Sequence, residues 1–148
     1  MARPRAFDVH AAVATAGEVF ARLGYSATSI DDLVNALGVH RGSLYQAFGS
    51  KRGLFVVALR RTVEEVLPQV ADDVQSLVDS PTLDLVLIAA LELAPEDREI
   101  RDLVHDACVE LQERLPTTSG QRPAPADLLG RRLLERGRLT QQPITHHT

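Results

Sequence analysis

The sequence is short of the features that mark several classes of protein. Its 148 residues include one cysteine, no tryptophan and only 4% aromatic side chains. A single cysteine excludes an internal disulfide and favours a reducing, cytoplasmic setting. The longest apolar run, Leu85–Leu91, is far shorter than the roughly 20 residues that a membrane-spanning helix needs. The N-terminal stretch has no apolar segment of the kind found in secretory signal peptides. We therefore expect a cytoplasmic protein without a membrane span.

Patterns typical of β-strands and of enzyme sites are also missing. No useful stretch alternates apolar and polar residues, whereas helix-forming residues dominate, so the sequence predicts an all-α fold. It has no glycine-rich phosphate loop, no nucleophile elbow and no set of paired carboxylates, and we expect neither an enzyme nor a cofactor. His105 and Cys108 have a spacing that can bind metal, but two ligands are too few for a metal site. Glu92 could anchor a cationic effector or could simply face solvent.

The stretch from Thr28 to Lys51 organises the rest of the chain. Thr28 or Ser29 can cap a short helix, and Gly38 follows its last apolar residue, where a positive φ often ends a helix. A second short helix, predicted over residues 39–45, carries polar side chains. Two helices joined by a glycine turn are the layout of a helix-turn-helix DNA-binding motif.

The charge is divided unevenly along the sequence. Residues 1–61 carry a net charge of +4 and residues 62–148 carry -8, within a total of -4. This asymmetry suggests that the N-terminal part meets a polyanion, although the charges could also be solvated surface. Arg3 and Arg5 could lie along a phosphate backbone or enter a minor groove, or could be mobile and solvated.

Amphipathic stretches outside the motif predict further helices. Phe7–Leu23 is predicted as the first helix, with Val9 on its buried stripe. Ser50 caps a fourth helix that Pro68 ends or kinks. We expect a DNA-binding domain over residues 1–50 and a helical effector-binding and dimerisation domain over 51–148. Within the latter, we predict a helix near 70–78 and another over 83–93, which Thr82 would cap. A third is predicted over 94–115, with Pro95 at its first helical position, and a short one over about 125–136. The tail over about 139–148 is predicted to be disordered.

Residues about 9–59 resemble the DNA-binding domain of the TetR family of bacterial transcription regulators. The segment from Ser80 to Glu113 also resembles the ligand-binding domain of some members. The specific features of the first match are Phe20, Gly24-Tyr25, Thr28, the Gly38-Val39 turn, Leu44-Tyr45, Phe48 and Ser50-Lys51.

The resemblance implies a three-helix DNA-binding domain, an effector-binding helical body and a homodimer. Thr28 and Lys51 match phosphate-contacting positions, and Tyr45 matches a residue that commonly contacts the DNA backbone. Arg41 suits either guanine or phosphate, and Gly42 would let the backbone approach DNA closely. The residues in the matching recognition helix are Val39, His40, Arg41, Ser43 and Leu44.

After Leu115 the sequence departs from the family pattern. A loop rich in helix breakers and one short helix follow, where family members usually end in two long helices that pair in the dimer. We expect Leu111, Leu115, Leu129 and Leu133 to supply part of a shortened dimer interface. The predicted function is that of a repressor that binds a palindromic operator in double-stranded DNA as a homodimer and leaves it when a small apolar effector binds. The alternative is an interaction module with a DNA-binding domain but no effector.

Overall fold

The computed structural model describes residues 8–70, 73–117, 120 and 122–139. This part of the chain is helical and contains no strand, which confirms the all-α prediction. None of its helices combines the length and hydrophobicity that a membrane crossing requires. The α-helices are α1 (Val9–Leu23), α2 (Ile30–Leu37), α3 (Arg41–Phe48), α4 (Lys51–Arg61), α5 (Leu67–Val70), α6 (Val74–Val78), α7 (Pro81–Ile88), α8 (Arg98–Arg114) and α9 (Pro125–Leu139).

Helix α1 begins and ends through local polar contacts. The Asp8 carboxylate accepts a hydrogen bond from the Ala11 N–H at 3.1 Å, which caps the first turn. The helix therefore begins at Val9, not at Phe7, and Val9 is 46% exposed. Its prediction as a buried residue was therefore wrong. Gly24, with φ of +89°, ends the helix as predicted.

Three of the few aromatic residues join α1 to α4. The Phe20 and Phe55 rings meet edge to face at 5.0 Å between centroids, and Tyr25 lies 5.2 Å from Phe55 and 5.9 Å from Phe20. Phe20 and Phe55 have no exposed surface. Aromatic pairs at these distances stabilise a core beyond simple area burial. This cluster fixes the turn that follows α1 against α4.

Two π-helical segments interrupt the long helices. Thr62–Val66 lies between α4 and α5, and Ala89–Leu93 follows α7. In the first, the Leu67 N–H bonds to the Thr62 carbonyl, one residue further back than in an α-helix. The widened turn immediately precedes Pro68, which has no N–H to continue the α-helical pattern. The helical path therefore passes through Pro68 and ends at Val70.

Two predicted helix starts in the C-terminal part need correction. Ser80, not Thr82, caps α7, because its hydroxyl accepts the Thr82 N–H at 3.1 Å and Pro81 takes the first helical position. Helix α8 begins at Arg98 and not at Pro95. The cause is Asp97, whose carboxylate accepts the Ile100 N–H at 3.3 Å.

One continuous apolar core runs from Val13 in α1 to Leu128 in α9. Residues 82–88 of α7 are all buried. The same core takes up Leu111 and Leu115, which are 0% and 1% exposed. Their prediction as dimer contacts was wrong, because the apolar stripe of α8 faces inward. The division into domains at residue 50 stays a prediction, while Arg3, Arg5 and the tail beyond Leu139 lie outside the described residues.

Two glycines in and after α1 make a matched stability test. A Cβ at Gly24 would lie 2.9 Å from the Glu92 Oε1 and would require a positive φ, whereas a Cβ at Gly17 meets its nearest neighbours at 3.8 Å. We expect Gly24→Ala to lower the free energy of unfolding by about 2 kcal/mol. Gly17→Ala should raise it by up to about 1 kcal/mol. Urea denaturation followed by circular dichroism measures both, and equal effects would contradict this account of Gly24.

Candidate nucleic-acid interface

The turn between α2 and α3 is built by local capping. The Ser29 hydroxyl accepts the Asp32 N–H at 3.1 Å, and the Asp32 carboxylate accepts the Ser29 N–H at 2.8 Å. The hydrogen bonds from Ser29 hold the pKa of Asp32 below its usual range. Gly38, with φ of +65°, ends α2, and its N–H bonds to the Val34 carbonyl. Ser29 rather than Thr28 is therefore the cap, and α2 and α3 form the predicted helix-turn-helix.

Helix α3 lies over Arg41–Phe48, two residues later than predicted at its start. Val39 and His40 precede it, and His40 occupies the N-cap without a side-chain cap bond. Val39 is partly buried and packs against the core. The first turn therefore leaves backbone N–H groups uncapped by a side chain, which is the arrangement that favours an anion at a helix start.

Side chains of α3 divide between the core and the surface. Leu44 has no exposed surface and anchors the helix to the core. Its prediction as a DNA contact was wrong, because a fully buried side chain cannot reach another molecule. Ser43 is partly buried, whereas Arg41, Gly42 and Tyr45 are exposed. A Cβ added at Gly42 meets nothing within 4 Å, so its backbone lies at an open surface.

Arg41 forms an exposed ion pair with Asp31 of α2. The Arg41 guanidinium lies 2.5 Å from the Asp31 carboxylate, and the two side chains are 56% and 71% exposed. Exposed pairs of this kind stabilise a protein by only about 0–1 kcal/mol. The guanidinium can therefore exchange Asp31 for a stronger anionic partner at little cost.

Thr28 lies in the turn between α1 and α2, and Lys51 of α4 contacts this turn. Thr28 is 1% exposed, and its hydroxyl donates to the Gly24 carbonyl at 2.5 Å. The predicted phosphate contact by the Thr28 hydroxyl is therefore corrected, since that group is buried and already bonded. The Lys51 ammonium donates to the Tyr25 and Thr28 carbonyls at 3.0 and 2.9 Å and lies 4.4 Å from the centre of the Tyr25 ring. One of its three N–H groups is left for another acceptor, so its predicted phosphate contact stays a prediction.

Glu92 binds the same turn from the opposite part of the chain. Its carboxylate accepts the Tyr25 N–H at 3.2 Å and the Ser26 N–H at 2.7 Å. Partial burial raises the pKa of Glu92, but hydrogen bonds from Ser26 and Tyr25 and the charge of Lys51 outweigh it, so the pKa is lowered. Neither predicted role of Glu92 describes this contact. No local pattern could have indicated it, because its partners lie 66 and 67 residues away.

Two clefts border α1 where it meets the C-terminal helices. The smaller, of about 270 Å³, is lined by α1, α4, the first π-helical segment and α7, including Gly17, Ala58 and Leu85. The larger, of about 560 Å³, lies between α1, α7 and α9 and includes Asp84 and Arg132. Among the described residues, no group of three or more His, Cys, Asp or Glu side chains could hold a metal ion.

Comparison with known proteins identifies the N-terminal part. Residues 12–58, which include α2, α3 and most of α4, match the family described as "Bacterial regulatory proteins, tetR family". This region of the chain is therefore similar to the TetR family of regulatory proteins. The matched residues include the exposed surface of α3, Lys51 and the turn that Lys51 and Glu92 contact. Glu92 itself lies outside the match.

Three relatives each match part of the chain. The HTH-type transcriptional regulator YezE of Bacillus subtilis is 42% identical over 64 residues, which are 43% of this chain and 33% of YezE. Two Escherichia coli proteins named as HTH-type transcriptional repressors follow. ComR is 44% identical over 62 residues, 42% of this chain and 30% of ComR. BdcR is 40% identical over 67 residues, 45% of this chain and 34% of BdcR.

These relatives are named as transcriptional regulators and not as enzymes, in agreement with the sequence prediction. The match spans about a third of the length of each relative.

The bonds of Lys51 lead to a stability prediction. Lys51→Met removes two hydrogen bonds from a charged donor and should lower the free energy of unfolding by about 2 kcal/mol. Arg41→Met is the matched control, because it removes an exposed cation in a surface pair and should cost less than about 1 kcal/mol. Urea denaturation measures both variants. Equal losses would contradict the structural role of Lys51.

Proposed function

We propose that this protein is a TetR-family transcriptional repressor that binds a palindromic operator in double-stranded DNA as a homodimer. The observation that carries the proposal is the exposed surface of α3. It presents Arg41, Gly42 and Tyr45 outward while Leu44 holds the helix to the core. A helix supported in this way fits the major groove, where its first residues meet base edges. Binding the chromosome would require a cytoplasmic location, which the proposal includes.

The charges around α3 support contact with a polyanion. In the proposal, Arg41 leaves Asp31 and donates to phosphate or guanine, a change that the weak surface pair makes easy. The open backbone at Gly42 would allow close approach to the DNA. The third N–H of Lys51, with the uncapped start of α3, would bind phosphate. His40, Ser43 and Tyr45 would complete the contact surface.

The proposal requires two copies of the chain. One recognition helix covers a single half-site, and two-fold proteins read half-sites about one helical turn apart. Leu133 and Leu134 on α9 are 45% and 66% exposed, and Leu129 is partly buried beside them. These apolar side chains support a dimer interface along α9. It would replace the predicted contribution from Leu111 and Leu115.

Release by an effector is the other part of the proposal. The cleft of about 270 Å³ between α1, α4 and α7 is lined by apolar residues such as Val13, Ala58 and Leu85 together with Glu18 and Arg61, and it borders the DNA-binding helices directly. A small apolar molecule bound there would favour a different packing of α1 against α7. The ligand would then shift the population toward dimers whose recognition helices are wrongly spaced for the operator.

Selection from a pool of random double-stranded DNA tests the main proposal. The selected sequences should contain a palindrome, and fluorescence anisotropy should give nanomolar, strongly salt-dependent binding with two protomers on each site. Weak binding that does not depend on sequence would contradict it. That result would favour the alternative of an interaction module that has no effector.

Neutralising Asp31 should strengthen DNA binding. Asp31→Asn removes the competing partner of Arg41 and a negative charge that phosphate would meet, so we expect the Kd for the selected palindrome to fall about three- to tenfold at low salt. Arg41→Gln should raise it by tenfold or more, about 1.4 kcal/mol. Asp102→Asn, on an exposed carboxylate of α8, is the matched control and should leave the Kd unchanged. A weaker complex with Asp31→Asn would contradict the role assigned to Arg41.

A further inference from the structure

The corner between α1 and α2, residues 21–28, is held by charged side chains from three other helical segments. Lys51 of α4 donates to the Tyr25 and Thr28 carbonyls. Glu92, in the π-helical segment after α7, accepts two backbone N–H groups of the corner. Arg136 of α9 donates to the Ala21 and Arg22 carbonyls at 2.5 and 3.1 Å. The two cations therefore bind backbone carbonyls, and the carboxylate binds backbone N–H groups.

The Glu92 contact depends on a close approach that only glycine permits. The Glu92 Oε1 would lie 2.9 Å from a Cβ at position 24, and the Gly24 backbone has φ of +89°. The carboxylate can therefore approach the corner closely and accept hydrogen bonds from two consecutive backbone N–H groups. Both bonds link residues more than 60 positions apart, so they join the helical body to the DNA-binding helices.

Arg136 binds the other end of the corner and is itself held by α7. Its guanidinium lies 3.4 Å from the carboxylate of Asp84, which is 7% exposed. Arg132 forms two hydrogen bonds to the same carboxylate, at 2.9 and 2.7 Å, and so fixes α9 against α7. The Ala21 and Arg22 carbonyls belong to the last turn of α1, where a helix favours a cation. The position of α9 is thereby linked to the end of α1.

We infer that Glu92 and Arg136 are positioning residues that fix the direction of the recognition helix relative to the helical body. The inference rests on the proposed function and deepens it. Helix α2 starts two residues after the corner and α3 follows within one short turn, so a displaced corner displaces α3. The apolar core holds these elements together, but its packing is less directional than the four hydrogen bonds that Glu92 and Arg136 make to the backbone. In a dimer, this direction sets the distance between the two recognition helices.

The exposed surface of α3 contains neither residue. Glu92→Ala and Arg136→Ala should therefore leave recognition of a single half-site intact. They should weaken only the discrimination between palindromes of different spacing. Because Glu92 is solvent-exposed, water can replace it at the two amides, and we expect that variant to fold.

The first test compares three DNA duplexes with the full chain. They carry the selected palindrome, the same half-sites one base pair further apart, and one half-site alone. We expect Glu92→Ala and Arg136→Ala to reduce the preference for the selected spacing by about tenfold, with half-site affinity changed less than about twofold. Glu96→Ala and Arg131→Ala, at neighbouring exposed positions, are the matched controls and should keep the full preference. Glu92→Gln, which retains an acceptor oxygen, should restore part of it.

A second measurement does not need DNA. Spin labels are attached at Gln46 of α3 and Glu113 of α8 in a Cys108→Ser background. Pulsed electron paramagnetic resonance then measures the distance between the recognition helix and the helical body. We expect a narrow distribution for the otherwise unchanged chain and broader ones for Glu92→Ala and Arg136→Ala, with both variants still unfolding cooperatively.

The outcomes separate the two claims. Unchanged distance distributions and unchanged spacing preference would overturn the inference. Equal losses on all three duplexes would also overturn it, because they would indicate a general structural role. If the unchanged chain selects no DNA sequence, the proposed function fails, and broader distributions in the variants would still support the positioning role.

Discussion

Backbone groups that leave a helix need hydrogen-bond partners, and this constraint governs how the structure is joined together. At the corner between α1 and α2 the chain turns sharply, and several N–H and C=O groups have no partner within a helix. Charged side chains from three other segments supply those partners, the most distant from 115 residues away. Helices α2 and α3 are thus attached to the body through the backbone of this corner. Substitutions of the corner's exposed side chains would leave most of this attachment in place.

Apolar packing and polar contacts have different tasks around this corner. Phe20, Tyr25 and Phe55 pack together at the inner side of the turn and stabilise it. Lys51 covers the Tyr25 ring and at the same time satisfies two carbonyls. The aromatic cluster keeps α1 and α4 together, and the polar contacts decide how the corner is oriented. Arg52 adds a further link from α4 to Asp97 and Glu99 at the start of α8.

Much of the fold and part of the site could be predicted from the sequence. Periodicity and glycine positions gave the helix-turn-helix, because capping and positive φ at Gly24 and Gly38 are local properties. The exact starts of α7 and α8 were missed because Ser80 and Asp97 compete with neighbouring candidates for the cap. Leu44 was assigned to the DNA surface because a family position says which helix a residue is on, not which side faces the core. The contacts of Glu92 and Arg136 needed the tertiary structure, since no short-range pattern encodes them.

The measurement that tests the central claim most directly is native-state hydrogen exchange at the corner, followed by NMR. The account predicts that the Tyr25 and Ser26 amides, which donate to Glu92, exchange much more slowly than the Ala27 amide in the same turn. Protection of both should fall to the level of Ala27 in Glu92→Ala. Equally fast exchange at all three positions in the unchanged chain would contradict the claim that the helical body holds the DNA-binding helices through this corner.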